Sequence, residues 1–97
     1  MILRMRQYRN TSEQVLLKFI QECIMEHGVE IPMTVFDCKI MDFFDVISQN
    51  IIRNYKKVLA LKGLIIPNSN IVVIPERVVK RVLPELNRRD YNANKDN

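Results

Sequence analysis

Only two glycines, Gly28 and Gly63, interrupt a chain of 97 residues, and each falls where a run of helical periodicity ends. Glycine stops a helix at low cost because it enters the left-handed conformation that closes a last turn. The two cut the sequence into blocks, and the apolar spacing inside each block says what it becomes. Before Gly28, Val15, Leu16, Phe19, Ile20, Cys23 and Ile24 recur at helical intervals, with Glu13, Lys18, Gln21, Glu22 and Glu26 on the other side. That pattern is a helix with one dry stripe. Asn10 or Thr11 is expected to cap it, with Glu13 or Gln14 completing a capping box. Val29-Glu30-Ile31 then alternates and stops at Pro32, which suits a short edge strand.

Between the glycines the spacing predicts two more helices. The first is expected to open with Thr34 as its cap and Asp37 at the third position, burying Phe36, Ile40, Phe43 and Phe44. Asp45 tolerates the left-handed conformation that a sharp turn needs. Ser48 is expected to cap the next helix, which runs to about Lys62. At roughly 100° per residue, Ile51, Ile52, Tyr55, Val58 and Leu59 share one side of it. Gln49, Asn50, Arg53 and Lys57 collect opposite, with Asn54 and Lys56 on the flanks. After Gly63, the apolar runs Leu64-Ile65-Ile66 and Ile71-Val72-Val73-Ile74 are separated by Pro67-Asn68-Ser69-Asn70, which reads as a hairpin. Pro75 suits the first position of a fourth helix, with Glu76 at its positive end. Val78, Val79, Val82, Leu83 and Leu86 form its stripe, and Pro84 is expected to kink or split it.

The order is helix, strand, helix, helix, hairpin, helix, so the fold class expected is mainly α with a small β-hairpin, an α+β domain. Residues 1–10 read as a basic arm or strand, 11–86 as the folded domain and 87–97 as a polar flexible tail. With 47% apolar residues the chain is too hydrophobic for disorder and long enough for one core. Two cysteines make no disulfide framework, no apolar run approaches the ~20 residues of a membrane span, and Met1 to Asn10 lacks a signal core. A reducing, cytoplasmic location is the default expectation, in the host cell if the gene is viral. One histidine, no glycine-rich phosphate loop and no acid–base group argue against an enzyme, a cofactor or a small-molecule substrate. Cys23, His27 and Cys38 lack both a fourth ligand and paired metal spacing, so core cysteines and a helix-end histidine are the better reading. Whether Cys23 and Cys38 pair is left open.

Charge is unevenly placed. Residues 1–45 carry five bases against seven acids, and residues 46–97 carry ten against four. No carboxylate lies between Asp45 and Glu76. On the third helix this leaves amides and cations alone on the polar side. Asn and Gln can pair bidentately with adenine and Arg with guanine, so Gln49, Asn50 and Arg53 are candidate base readers. Asn54, Lys56 and Lys57 suit phosphates, as do the free backbone donors and hydroxyl at Ser48.

The stretch Phe44-Asp45-Val46-Ile47-Ser48-Gln49-Asn50-Ile51-Ile52-Arg53-Asn54-Tyr55, followed by Leu59-Ala60-Leu61-Lys62-Gly63-Leu64-Ile65, resembles the core of winged helix-turn-helix transcription regulators. The resemblance extends over Thr11 to Asn87 at the level of element order. It implies a recognition helix from Ser48, a hairpin wing after the Leu-x-x-x-Gly-Leu-Ile signature, and double-stranded DNA as partner. Such wings often carry Arg or Lys at the tip. Here Asn68, Ser69 and Asn70 offer only amides and a hydroxyl to a phosphate. Tyr8, between Arg6 and Arg9, fits a groove-following arm, an extra strand or a frayed end equally well.

The hairpin is apolar on both faces, Ile65, Val72 and Ile74 opposing Leu64, Ile66, Ile71 and Val73. One face therefore needs a cover, and a homodimer through Val78, Val79, Val82, Leu83 and Leu86 is expected, with Met1 to Met5 as further candidates. The alternative is a winged-helix interaction module that assembles a larger complex. Membrane association by the fourth helix is disfavoured, since Pro84 interrupts it and no Trp anchors it. Brevity and the lack of an effector domain suit a viral, plasmid or prokaryotic gene.

Overall fold

Helix α1, Glu13–His27, buries Leu16, Phe19, Ile20 and Cys23, the stripe its periodicity predicts. In this computed structural model, which describes residues 12–83, Ser12 occupies its N-cap position. The cap is not Asn10 or Thr11, which lie outside the described residues, and the Ser12 hydroxyl makes no cap hydrogen bond. The helix ends at Gly28, whose φ of +83° and ψ of −160° belong to a region that side chains exclude. Strand β1, Glu30–Pro32, follows and points Ile31 into the core.

Helix α2, Met33–Phe44, begins earlier than the sequence suggests. Pro32 takes the N-cap place expected of Thr34, which falls instead inside the first turn. The reason is a non-local bond: the Met33 N–H donates to the Asn70 carbonyl at 2.8 Å. Strand hydrogen bonding thus passes directly into the helix with no separate cap. Phe36, Ile40 and Phe44 are buried as expected. Asp45 then turns the chain at φ 56°, ψ 51°, the left-handed conformation anticipated for it. The Val46 N–H closes back onto the Met41 carbonyl at 3.2 Å.

Helix α3, Gln49–Leu61, starts after four connecting residues and buries Ile52, Tyr55 and Leu59. Its end is closed by a pair of reverse bonds, Gly63 N to Ala60 O at 3.0 Å and Leu64 N to Leu59 O at 2.9 Å. Gly63 is left-handed at φ +75°, and Leu64 and Leu59 are both buried, the apolar contact that accompanies this closure. Leu64 and Ile65 are consequently a buried connector rather than strand. The hairpin keeps only β2, Ile66–Pro67, and β3, Ile71–Val73.

The three strands form an antiparallel sheet in the order β1-β3-β2. Ile31 pairs with Val72 on the inner face, while Val73 lies between Glu30 and Ile66 on the outer one. β1 is an edge strand, as its proline predicts. Helix α4, Glu76–Val82, has Pro75 at its N-cap and returns to α1. Gln21 Nε2 donates to the Val82 carbonyl at 3.1 Å, and Arg81 pairs with Glu13.

This return corrects the expected dimer interface. Val78, Val82 and Leu83 are buried within the single chain, and Val79 is half-buried, so α4 spends its stripe on its own core. Leu86, Pro84, Tyr8 and Met1 to Met5 lie outside the described residues. An aromatic cluster joins the three longer helices. Phe19 meets Phe36, Phe43 and Phe44 at centroid distances of 5.2–5.4 Å, and Phe44 stacks on Tyr55 at 4.0 Å. The described residues are thus mainly helical, four helices with a small three-stranded sheet, and none of these helices is long and apolar enough to cross a membrane.

Candidate nucleic-acid interface

The same periodicity that fixes α3 in the core sets out its other face. Ile52, Tyr55 and Leu59 anchor one side, so residues near the opposite direction must meet solvent. Gln49, Asn50, Arg53, Asn54 and Lys57 are all exposed. Among the described residues neither Arg53 nor Lys57 has an ion-pair partner, so their donors are uncommitted. Ser48 stands at the N-cap with extended backbone, as expected, but its hydroxyl makes no cap hydrogen bond. Its carbonyl accepts the Ile52 N–H at 3.0 Å, the first bond of the helix. The N–H groups of Gln49, Asn50 and Ile51 therefore lack intrahelical partners.

Lys56 does something else. Its Nζ lies 2.9 Å from Asp37 Oδ1 and 3.7 Å from Met33 Sδ, tying α3 to the N-terminal part of α2. Asp37 Oδ1 is buried and receives no well-angled hydrogen bond, so the ammonium charge is its compensation. The expected phosphate role for Lys56 is corrected accordingly: the side chain is half-buried and already paired. The pair bridges the two helices.

The hairpin loop exposes Asn68, Ser69 and Asn70. Its backbone is tied by the Asn68 N–H to the Ile71 carbonyl at 2.8 Å and by the Asn70 carbonyl to Met33. Two exposed apolar residues border the α3 face and escape the sequence reading. Ile47 is 83% exposed in the turn before Ser48, and Leu61 is 80% exposed at the far end of the helix. Leu61 could have been found, since the helical wheel puts it among the polar residues. Ile47 sits beside the buried Val46 and has no periodic signal of its own.

No family model, curated protein or solved structure matches this chain.

The Glu26 carboxylate is held below its ordinary range by a 2.8 Å hydrogen bond from Lys39, and Lys39 is raised by the same contact. Burial pushes the Cys23 thiol up to about 12, so it remains protonated at neutral pH. Cys23 is buried, Cys38 is exposed, and both are free thiols. Among the described residues no three His, Cys, Asp or Glu side chains gather as a metal site. His27, 3.8 Å from Glu26, is a helix-end residue.

Proposed function

We propose that this chain is a winged helix-turn-helix domain that binds double-stranded DNA with sequence preference, and that it acts as a small transcription regulator rather than an enzyme. The observation that carries the reading is the uncommitted face of α3. Amides and cations without an acid stand out from a helix whose reverse side is locked into the core. A helix of about 10–12 Å diameter fits the major groove, about 12 Å wide, and four residues join it to α2. The element order and the hairpin after α3 support the same plan.

Gln49, Asn50 and Arg53 are the proposed base readers, lying toward the start of the helix where side chains reach base edges. Ser48, Asn54 and Lys57 meet phosphates, and the exposed Asn68, Ser69 and Asn70 do so from the loop. The test is a titration against duplex DNA sequences selected from a random pool. Arg53→Ala lowers affinity by about 1–3 kcal/mol and relaxes the preference, while Lys57→Ala weakens all sequences alike and flattens the salt slope by about one. Free passage through heparin and duplex-DNA columns at moderate salt refutes the proposal.

One observation favours a second reading, a module that assembles with protein, a second copy included. Ile66 is 51% exposed on the outer sheet face beside half-buried Ile71 and Val73. With α4 occupied by α1, this face is where a homodimer would form. Light scattering at micromolar concentration distinguishes a dimer from a monomer.

A further inference from the structure

Val46 and Ile47 are neighbours of similar chemistry with opposite fates. Val46 is 5% exposed and packs into the core behind the turn, whereas Ile47 is 83% exposed and contributes nothing to it. A β-branched aliphatic side chain in open solvent is unremarked on most surfaces. Its position gives it meaning here, because Ile47 directly precedes Ser48 and the exposed Gln49 and Asn50 of the first turn of α3.

We infer that Ile47 is a specificity residue that reads the C5-methyl group of thymine, within a site dominated by A·T pairs. The inference rests on the DNA-binding reading above and names the base composition that reading would select. If the start of α3 enters the groove, Ile47 lies beside either base edges or phosphates. Against a phosphate, an aliphatic chain displaces water from a charged oxygen and gives nothing back. In the major groove only thymine presents an apolar group. The flanking side chains point the same way. From Ile47 to Lys57 the exposed residues include three amides, Gln49, Asn50 and Asn54, which suit adenine. Within that stretch no carboxylate is available to accept from the cytosine amino group, and Arg53 is its single guanidinium suited to guanine. Leu61 is a poorer candidate. It follows Asn50 by eleven residues, about 16 Å along the axis, more than the roughly 12 Å width of the groove.

The experiment uses three alternating duplex polymers as probes, poly(dA-dT), poly(dA-dU) and poly(dG-dC), with the full chain and with Ile47→Ala. Uracil differs from thymine only by the missing methyl. The wild-type chain binds poly(dA-dT) more tightly than poly(dG-dC), and about fourfold more tightly than poly(dA-dU) for each methyl buried. Ile47→Ala binds the dT and dU polymers equally, with its salt slope and melting temperature unchanged. Uracil also alters duplex stiffness, but it does so for both proteins, so the difference between them isolates the methyl contact. Equal wild-type binding to dT and dU, an unchanged ratio in Ile47→Ala, or poly(dG-dC) bound as tightly as poly(dA-dT) overturns the inference while leaving DNA binding standing. Failure to bind all three polymers removes the DNA-binding reading and this inference together.

Discussion

The Lys56–Asp37 pair makes a quantitative prediction that separates a structural lysine from a functional one. Lys56→Met keeps most of the aliphatic stem and removes the charge, leaving the buried Asp37 Oδ1 without compensation. Fully exposed pairs are worth about 0–1 kcal/mol, and breaking a fully buried one costs about 3–5 kcal/mol. Here the Lys56 and Asp37 side chains are 23% and 28% exposed, which places the cost between, near 2 kcal/mol by the same scale. For a domain of this size each kcal/mol moves the melting temperature by about 4–8 °C, so a drop of about 8–16 °C is expected. Thermal unfolding followed by circular dichroism measures it, with Lys57→Met as the control, expected within about 0.5 kcal/mol of wild type. The double variant Asp37→Leu with Lys56→Met removes both charges and recovers most of the loss. In DNA titrations, Lys56→Met leaves the salt slope unaltered while Lys57→Met lowers it. A Lys56→Met melting point within about 3 °C of wild type refutes the structural role and returns Lys56 to the phosphate-binding set.

Gly28→Ala costs about 1–3 kcal/mol, read by chemical denaturation; an added Cβ meets no atom within 4 Å, so the loss is backbone strain alone, and no loss refutes it. A thiol reagent at neutral pH labels Cys38 alone in the native chain and Cys23 only after unfolding, as mass spectrometry will register. Cys23 also predicts alkaline weakening. The unfolded thiol loses its proton near 9 and the folded one near 12, so between those values the unfolded state binds fewer protons and stability falls as pH rises. This component of the decline is absent in Cys23→Ala, which a comparison of denaturation midpoints across that range will test.

What could be read from the sequence is what neighbours in the chain decide among themselves. Gly63 followed by Leu64 encodes a helix stop within six residues, and the stop is found closed by its two reverse bonds. Asp45 in the left-handed region and Tyr55 turned inward follow equally from local sterics and periodicity. The misreadings involve partners far away in the chain. Thr34 looks like a cap until Met33 is seen bonded to Asn70. Lys56 looks like a free cation until α2 brings Asp37 beneath it. The α4 stripe looks like a dimer surface because periodicity identifies a dry face without naming what covers it, and α1 is the cover. On the candidate face, the exposure of Gln49, Asn50, Arg53, Asn54 and Lys57 was legible from the wheel, whereas the outward Ile47 was not.

The hairpin loop has a property that matters for how such a domain could diversify. Its course is held by main-chain bonds, from Asn68 to Ile71 and from Asn70 to the start of α2, while the side chains of Asn68, Ser69 and Asn70 project into solvent. Shape and surface chemistry are therefore written in separate alphabets at this tip. Lineages, or engineers, can exchange an amide or hydroxyl there for a cation without redrawing the scaffold, whereas lengthening the loop would pull on the root of a helix that carries the central aromatic cluster.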